Sequence, residues 1–500
     1  MPADTLSTGL IGHWLFEGDA RDYSTCENHG RPHGVDFTAT GRSGKPGTAA
    51  NTVCHFSYLQ SRKDFRAMST HQVNCLDVKD FGAETLRIGD LTGDGAPDFL
   101  FTQSVYGTRS ITCLTATDIS GNILWQQGNP SRDNGRIYSD LPVQIYDWDG
   151  DGCNEVLYIR QAEYAELFDN DDSFYIERAK RYKGQALMVV LDGETGKEKD
   201  SVELPAPADD CILIADLTGR GRREDLVVKD RYWNMWGISH EGKELWHWAG
   251  STGHYPAVAD LDGDGKDEVF VGYALIDDQG DVLFDHEPAK GEHQDATYIV
   301  QLDDGSWRLL FGNGGIHCLD VDGNKLWHHP LKEAQHVVVG HFRSDSPIQV
   351  MAIDRGHRPK EITAHRSDWK EPATLICYDI DGNEIWRREQ PDGSWNAAIV
   401  GLDWLGGNSF QSVLVYSRGP ENPAVIYDGE GEVIDVFRME YTADRTEEDR
   451  QSHFYVTRAD LWGDSRDEVV FFGSRGACIY SNSRPLNIPT LYNNNLYQGM

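Results

Sequence analysis

A short acidic phrase recurs along the sequence, and its side chains are spaced to bind a hard divalent cation. In Asp-x-Asp-x-Asp-Gly-x-x-Glu, side-chain oxygens at positions 1, 3, 5 and 9 and a carbonyl oxygen at position 7 can converge on one ion, and the glycine permits the sharp turn. Two copies are complete and a third has threonine and aspartate at positions 3 and 9: Asp147, Asp149, Asp151 and Glu155; Asp260, Asp262, Asp264 and Glu268; Asp90, Thr92, Asp94 and Asp98. We predict structural Ca²⁺ at two or three of these turns.

Other copies of the phrase have lost some of these ligands. Arg220 stands at the fifth position of the copy that starts at Asp216, and Trp462 interrupts the copy that starts at Asp460. For such copies the alternative is a turn closed by hydrogen bonds alone. The cations would stabilise the fold rather than take part in chemistry. The phrase resembles the FG-GAP repeats of integrin-like propellers, a resemblance that implies nothing about catalysis.

The copies also mark a repeated structural unit. Eight anchor residues share one place in the phrase: Asp90, Asp147, Asp216, Asp260, Gln301, His341, Asp403 and Asp460. After most copies an aspartate and a glycine precede an aromatic residue such as Trp125 or Trp246, which predicts a β-hairpin with an outward-facing aromatic side chain. Each unit then has four short strands, which bury both faces only when the units stack around an axis. We predict an all-β protein, a β-propeller of eight blades, with seven blades as the alternative.

Residues 1–79 lack the repeat. Their segment GLIGHWLFEGDARDYS resembles the start of a laminin-G-like sandwich, but the remaining strands of such a sandwich are absent. We predict a short N-terminal appendage over residues 1–79 and a catalytic propeller domain over residues 80–500. Residues 71–78 are expected to supply a strand that closes the last blade.

The composition excludes several classes of function. The chain has 46 Lys and Arg against 81 Asp and Glu, a formal net charge of −35, which argues against electrostatic binding to nucleic acid or to an anionic membrane. No apolar run approaches the roughly 18 residues of a membrane-spanning helix. The nine cysteines form no Cys-x-x-Cys pair, and Cys26 with Cys54 is the expected disulfide if the protein is exported. We expect a secreted monomer whose leader is absent from this chain, with a cytoplasmic protein as the alternative.

In a propeller the acidic turns lie on one face, and the loops that enter each first strand lie on the other. Those entry loops contain the histidines His254, His293, His336 and His453. Loops on the same face contain basic and aromatic residues: Arg160, Arg231, Arg355, Arg358, Arg418, Arg475, Tyr106, Tyr138, Tyr232 and Tyr273. Basic groups at one mouth of an acidic protein indicate an anionic ligand, although each arginine could instead pair with a local acid.

The stretch GHYPAVADLDGDGKDEVFVGYALIDDQGDVLF, followed by GEHQDA, resembles the equivalent part of the rhamnogalacturonan lyases of polysaccharide lyase family 11. The wider chain, including HVVVGHFRSD and PTLYNNNLYQGM, is more similar to the L-rhamnose-α-1,4-D-glucuronate lyases of family 27, which act on gum arabic. The family 11 resemblance implies a cation near the active centre, Ca²⁺ ahead of a transition metal, held by His254, His293 and Asp295, with His336 as a looser ligand. Most family 11 loop insertions are absent, which favours an exo-acting enzyme.

The resemblance and the residue types together imply β-elimination at a uronate. A base must remove the weakly acidic C5 proton, and a cation or an arginine on the carboxylate stabilises the enolate-like transition state. We expect Arg231 and Arg355 to contact that carboxylate and a histidine or a tyrosine to act as base. The candidate catalytic residues are His254, His293, Arg231, Arg355, Tyr138 and His453. The expected partner is an anionic glycan that contains rhamnose and uronate.

Two other functions stay open. A glycoside hydrolase such as an α-L-rhamnosidase needs two carboxylates about 5–10 Å apart. Acids in the loops of this face are few: Asp140, Asp209, Asp210 and Asp295. The second alternative is a non-catalytic FG-GAP propeller that binds a glycan or a protein.

Overall fold

The structure is a computed structural model that describes strands at residues 35–40 and 46–52 and most of the chain from 70 to 484. Within the longer span, the residues not described are 107, 138–139, 165–181, 207, 209–211, 231–232, 287–292, 346, 357–371, 391–396, 408, 419–423 and 438–453. The described residues form antiparallel β-sheets and a short 3-10 helix, Arg132–Asn134. Among them, no helix has the length and apolar character needed to cross a membrane.

The strands group into a two-stranded sheet and eight four-stranded sheets. The two-stranded sheet and the closing strand come first along the chain: β1 (Val35–Thr40), β2 (Pro46–Thr52) and β3 (His71–Leu76). Blades 1 to 4 follow: β4 (Leu86–Gly89), β5 (Asp98–Ser104), β6 (Ile111–Asp118), β7 (Ile123–Gly128); β8 (Val143–Tyr146), β9 (Glu155–Tyr164), β10 (Tyr182–Asp192), β11 (Glu198–Leu204); β12 (Ile212–Ala215), β13 (Asp225–Lys229), β14 (Asn234–Ile238), β15 (Glu244–Ala249); β16 (Ala257–Ala259), β17 (Glu268–Phe270), β18 (Ala274–Ile276), β19 (Val282–Asp285). Blades 5 to 8 complete the ring: β20 (Ala296–Gln301), β21 (Trp307–Gly312), β22 (Ile316–Leu319), β23 (Lys325–His329); β24 (Ala334–Gly340), β25 (Gln349–Asp354), β26 (Thr374–Asp379), β27 (Glu384–Glu389); β28 (Ala397–Leu402), β29 (Ser412–Ser417), β30 (Val425–Tyr427), β31 (Val433–Val436); β32 (Tyr455–Ala459), β33 (Glu468–Gly473), β34 (Gly476–Ser481) with β3.

The eight sheets confirm the predicted β-propeller and its number of blades, so the seven-bladed alternative is wrong. Each blade is antiparallel, and the first strands of neighbouring blades contact one another, as β16 contacts β20 and β20 contacts β24. The first strands therefore surround the axis. Seven of the eight predicted anchors directly follow the first strand of a blade, and Gln301 is the last residue of β20.

The eighth blade is closed by a strand from the other end of the chain. β3 pairs with β34, so the predicted closing role of residues 71–78 is confirmed for His71–Leu76. Cys75 lies opposite Cys478 in this pairing and forms a disulfide with it. The last blade thus takes its fourth strand from the segment that the sequence assigned to the appendage. The expected Cys26–Cys54 pair and the laminin-G-like stretch lie outside the described residues.

Burial along the strands follows their position in the blade. Second strands such as β5, β29 and β33 are buried along their whole length, because both faces pack on adjacent blades. The fourth strands β7 and β15 alternate between buried and exposed residues, as expected for the edge of a sheet. Separate apolar clusters lie between successive blades, and this stack of cores holds the first strands in register around the axis.

The aromatic residues of the fourth strands face the next blade rather than solvent. Trp125, Trp246 and Trp386 are 8%, 6% and 8% exposed, so the predicted outward orientation is wrong for them. The ring of Trp125 lies against Gly196 in the last hairpin of blade 2, and its indole N–H donates to the carbonyl of Gly193 at 2.6 Å. A Cβ at Gly196 would lie 2.5 Å from that ring, so only glycine fits. The same contact recurs between other blades: Trp246 on Gly280, Phe284 on Gly323, Trp327 on Gly382 and Trp386 on Gly431.

Candidate active site

Histidine and arginine side chains gather at the end of the propeller opposite the acidic turns. His254 and His293 precede β16 and β20, and His336 lies near the start of β24. Arg355 and Arg418 directly follow the second strands β25 and β29. Because first and second strands are antiparallel, the start of one and the end of the other share a face. The predicted sorting of loops therefore agrees with the topology.

Three of the predicted site residues converge on one point. His254 Nε2 lies 3.7 Å from Asp295 Oδ1, and His293 Nε2 lies 3.6 Å from the same oxygen. The centroids of the two imidazole rings are 5.1 Å apart. One ligand atom from each residue lies within 4.8 Å of the others, and both nitrogen–oxygen distances exceed those of a hydrogen bond. This spacing fits three ligands around a common cation, and we call these residues the axial trio.

The backbone between blades 4 and 5 positions the axial trio. The N–H of His254 donates to the carbonyl of Gln294 at 3.0 Å, and the N–H of Asp295 donates to Gly312 at 2.8 Å. Gln294 is fully buried and lies against Gly253, where a Cβ would come within 2.3 Å of its amide nitrogen. Gly253 also has a φ of +59°, in the left-handed region that favours glycine. The loop can therefore bring His254 over the neighbouring blade only with glycine at this position.

Asp295 is a buried carboxyl group with an altered pKa. It is 8% exposed, and its Oδ1 accepts a hydrogen bond from Gln335 Nε2 at 3.1 Å. Burial, with the negative charge of Glu333 adding to it, raises its pKa to about 7, whereas Gln335 and the charge of Arg355 act in the opposite direction. A cation bound by the axial trio would neutralise this carboxylate and compensate for its loss of solvent.

His336 lies outside the axial trio, although the resemblance implied it as a looser ligand. Its half-buried side chain lines the axial cavity. Burial lowers its pKa to about 3, and the positive charges of Arg355 and Arg418 act in the same direction. The imidazole is therefore neutral at physiological pH and is available as a hydrogen-bonding group, whereas so low a pKa makes it a weak base.

The axial cavity has a volume of about 690 Å³ and is enclosed largely by first strands. One part of its wall carries the axial-trio residues His254 and Asp295, together with Arg418. The lining near blade 1 carries Glu84, Arg87 and Asp140, of which Arg87 and Asp140 form an ion pair at 2.7 Å. Tyrosines also contribute to the lining: Tyr255, Tyr298 and Tyr455. Acidic and basic groups therefore occur together in both parts of one cavity of saccharide size.

Arg355 does not form part of the cavity lining. Its side chain is 1% exposed, and its backbone N–H donates to the carbonyl of Glu333 at 3.0 Å. Burial and the nearby charge of Arg418 lower its pKa, and the acids Glu333 and Asp295 partly offset this. The guanidinium acts on the cavity through its charge from behind the wall. Arg418, which was not among the predicted catalytic residues, lines the cavity, as do Arg87 and Arg458.

Other predicted site residues cannot be placed in the cavity. Arg231, Tyr138 and His453 lie outside the described residues, as do further loop residues: Arg358, Tyr232, Asp209 and Asp210. Arg160 forms an exposed ion pair with Glu198 at 2.8 Å, so pairing with a local acid applies there. Gln335 and Glu333 could not be recognised from the sequence, because ordinary polar residues at a strand start belong to no motif.

At the opposite end, two acidic turns bring their carboxylates together. Asp260, Asp262 and Glu268 of blade 4 lie within 4.8 Å of one another, as do Asp147, Asp149 and Glu155 of blade 2. Asp264 and Asp151, at the fifth position, instead accept hydrogen bonds from the N–H groups of Lys266 and Cys153 at 2.9 and 2.8 Å. Each turn therefore offers three carboxylates rather than four.

The turn of blade 1 does not form such a cluster among the described residues. Asp98 accepts hydrogen bonds from the N–H groups of Leu91 and Thr92 at 2.9 and 3.2 Å, and Asp90 accepts from Gly93 and Gly95 at 2.7 and 2.8 Å. At position 9 this turn has an aspartate, whose side chain is shorter than that of glutamate and is hydrogen-bonded to the backbone. Asp260 and Glu268 of blade 4 accept equivalent backbone hydrogen bonds, so the turn with Asp90, Thr92, Asp94 and Asp98 differs in that its carboxylates do not converge among the described residues.

Sequence comparison relates part of the chain to polysaccharide-degrading enzymes. Rhamnogalacturonan exolyase YesX from Bacillus subtilis (strain 168) is 25% identical over 270 residues, which are 45% of this chain and 43% of that protein. Rhamnogalacturonan endolyase YesW from the same organism is 25% identical over 272 residues, 45% of this chain and 42% of that protein. The match thus spans less than half the length of each relative. No family model matches the chain.

Solved structures of rhamnogalacturonan lyases share the fold. The exotype lyase YesX superposes with a TM-score of 0.54 at 19% identity, covering 81% of this chain and 72% of that one. The lyase PL11 from Bacillus licheniformis gives the same score and identity over 83% of this chain and 76% of that one. At this level of identity the superposition establishes the propeller architecture alone.

Proposed function

We propose that this protein is a polysaccharide lyase that cleaves a rhamnose–uronate glycan by β-elimination at the uronate, acting from the chain end. The observation that carries the proposal is the convergence of His254, His293 and Asp295 on one point, with His254 and Asp295 in the wall of the axial cavity. The sequence relation to an exolyase and an endolyase supports the reaction class. The L-rhamnose-α-1,4-D-glucuronate linkage is the substrate that we propose within that class.

The axial trio would hold a divalent cation, for which we propose Ca²⁺. Two imidazole nitrogens with one carboxylate oxygen also suit a transition metal, so the metal must be identified by analysis. When bound, the cation would supply positive charge to the uronate carboxylate as negative charge develops in the transition state. Asp295 and the two histidines would orient that charge toward the cavity.

The remaining cavity residues can assist the reaction without the cation. Arg418 presents a guanidinium to the cavity and can bind a carboxylate through two parallel hydrogen bonds. Arg355 adds charge from behind the wall, where the low dielectric strengthens its effect. His336 offers a neutral imidazole as a hydrogen-bonding group, and Tyr138 and His453 stay candidate bases.

The decisive assay is incubation with a rhamnose–glucuronate oligosaccharide and, separately, with rhamnogalacturonan. Elimination leaves a C4=C5 double bond conjugated to the carboxylate, so ultraviolet absorbance should rise with product. An exo mode should release terminal sugar from the start, with slow loss of polymer length. Release of rhamnose without ultraviolet absorbance would instead support an α-L-rhamnosidase, for which Glu84, Asp140 and Asp295 supply carboxylates in the cavity. Binding without any product would indicate a non-catalytic propeller.

We further propose structural Ca²⁺ at the turn of blade 4 and a protein that acts outside the cytoplasm as a monomer. Blade 4 offers the converging carboxylates of Asp260, Asp262 and Glu268. Burial and the neighbouring aspartates raise the pKa of Glu268 to about 7, so its negative charge is unfavourable there, and a cation would relieve this.

The Cys75–Cys478 disulfide supports an oxidising compartment. Thiol labelling of the secreted protein and its mass in solution test both statements.

A further inference from the structure

The acidic turns of blades 2 and 4 have the same sequence pattern but different surroundings. In blade 2, Lys199 Nζ lies 2.7 Å from Asp149 Oδ2 and 2.7 Å from Glu155 Oε1. The same nitrogen lies 3.8 Å from Asp151. Lys199 belongs to β11, the outer strand of the blade, and its side chain reaches across to the turn. An ammonium group therefore lies among the carboxylates that would otherwise bind a cation.

The third carboxylate of the blade 2 cluster also faces a cation of the chain. Arg222 Nη2, from the turn of blade 3, lies 3.6 Å from Asp147 Oδ1. The same guanidinium donates to the carbonyl of Trp148 at 3.3 Å and lies over the ring of Tyr146 at 5.7 Å. All three clustered carboxylates of blade 2 thus have a basic side chain close by.

Blade 4 lacks this arrangement. Its nearby lysine, Lys266, pairs with Asp278 at 2.6 Å and approaches Asp264 at 3.7 Å, and neither acid belongs to the cluster. Among the described residues, no lysine or arginine nitrogen lies within ion-pair distance of Asp260, Asp262 or Glu268. The two turns therefore differ in what balances their negative charge.

We infer that Lys199 replaces the divalent cation in blade 2, so that this turn is closed by an internal ion pair and binds no Ca²⁺. The inference rests on the proposal that a complete acidic turn of this protein binds Ca²⁺, as proposed for blade 4. A fixed ammonium repels a divalent ion and occupies the space between its ligands, because Coulomb repulsion acts strongly at such short distances. Only the removal of the lysine converts blade 2 into a cation site.

The first test counts bound Ca²⁺ per chain by equilibrium dialysis. Asp149→Asn in the otherwise native protein should leave the count unchanged, because blade 2 holds no ion to lose. Lys199→Met should raise the count by one, and adding Asp149→Asn to it should remove the gain. Lys266→Met is the matched control, since its lysine lies outside the blade 4 cluster, and it should bind as many ions as the wild type.

A second readout is specific to blade 2. Trp148 lies inside this turn, whereas Leu261 holds the same place in blade 4. Tb³⁺ that replaces Ca²⁺ in the Lys199→Met protein should therefore gain luminescence excited through Trp148, and Trp148→Phe should remove that gain. Loss of a Ca²⁺ ion in Asp149→Asn, or no gain of an ion in a folded Lys199→Met, would overturn the inference. Asp262→Asn tests the blade 4 proposal separately, since it should lose one ion whatever happens at blade 2.

Discussion

Acidic side chains lie at both ends of the propeller. At one end they belong to a single local loop, and at the other they lie between two neighbouring blades. At the turn end, Asp260 accepts hydrogen bonds from the N–H groups of Gly263 and Gly265, all within one local loop. At the axial end, Asp295 is buried and faces His254 from the neighbouring blade. The turn depends on its own sequence, whereas the axial trio depends on two blades packed in register. Changes at the turn end should therefore affect stability, and changes at the axial end should affect turnover.

The largest expected effect is at the axial end. His293→Ala should lower kcat by about a thousandfold, because removal of one preorganised electrostatic group at a reacting centre costs about 10²–10³ in rate. The melting temperature should stay within about 1 °C of the wild type. Asp262→Asn is the matched control and should keep its turnover while it loses a turn ligand. A fully active His293→Ala enzyme would remove the axial trio from the mechanism.

The second-largest effect is expected at the turn of blade 8, whose acidic pattern is interrupted by Trp462. Glu468 of blade 8 is fully buried, and burial raises its pKa to about 7 from an ordinary 4.5, while hydrogen bonds from Leu461 and Ser481 act in the opposite direction. The folded state then binds the proton more tightly, so stability present below pH 4.5 is lost as the pH rises through 7. The loss is on the order of 3 kcal/mol.

Glu468→Gln should remove this pH dependence. Its side-chain oxygen can still accept from the N–H of Leu461, a bond of 2.9 Å in the wild type, and it carries no charge. Urea unfolding at pH 5 and at pH 8 measures the difference for both proteins. If the two proteins show the same slope of stability with pH, Glu468 does not titrate in this range.

A substitution at Arg418 can distinguish the effect of its positive charge from the effect of its hydrogen-bond geometry at the axial end. Arg418→Lys keeps the positive charge but loses the paired hydrogen bonds of a guanidinium, so kcat/KM should fall about tenfold to a hundredfold. Arg160→Lys is the control, because Arg160 forms an exposed pair with Glu198 away from the cavity lining and should behave as wild type. Equal kinetics for the two variants would show that Arg418 does not contact the substrate.

The smallest effect is at the turn of blade 4. Asp260→Ala with Asp262→Ala should lower the melting temperature in Ca²⁺ by about 2–4 °C, because the ion no longer stabilises the folded state. The double variant should also lose any response to a chelator. If wild-type protein melts at one temperature with and without chelator, the proposed structural ion is absent.

The sequence predicted the features that depend on local spacing. The eight anchors marked the ends of the first strands, because an acidic turn must follow the strand that leads into it. The His-x-Asp spacing of His293 and Asp295 placed both side chains on the same side of an extended segment, and the structure brings His254 to them. Such patterns are visible in sequence because the residues that form them are neighbours or repeat with a fixed period.

Features that join distant parts of the chain were not predictable in the same way. Lys199 reaches the blade 2 turn from an outer strand, and nothing in its local sequence distinguishes it from a surface lysine. Trp125 faces the next blade because a glycine of another hairpin leaves room for its ring. Arg355 is buried whereas Arg418 lines the cavity, although both directly follow a second strand. Each case is decided by packing between blades rather than by spacing within one.

The disulfide at the closing blade makes the propeller a covalent ring. Cys75 and Cys478 are separated by 403 residues, so the seven blades from β4 to β31 lie within one loop closed by the sulfur–sulfur bond. A tensile force applied to the two ends of the chain passes through this bond and leaves those blades unloaded. Mechanical extension can then release only the segments outside the ring until the bond is reduced. The protein should consequently resist stretching, as well as traction by an unfoldase that pulls on either terminus.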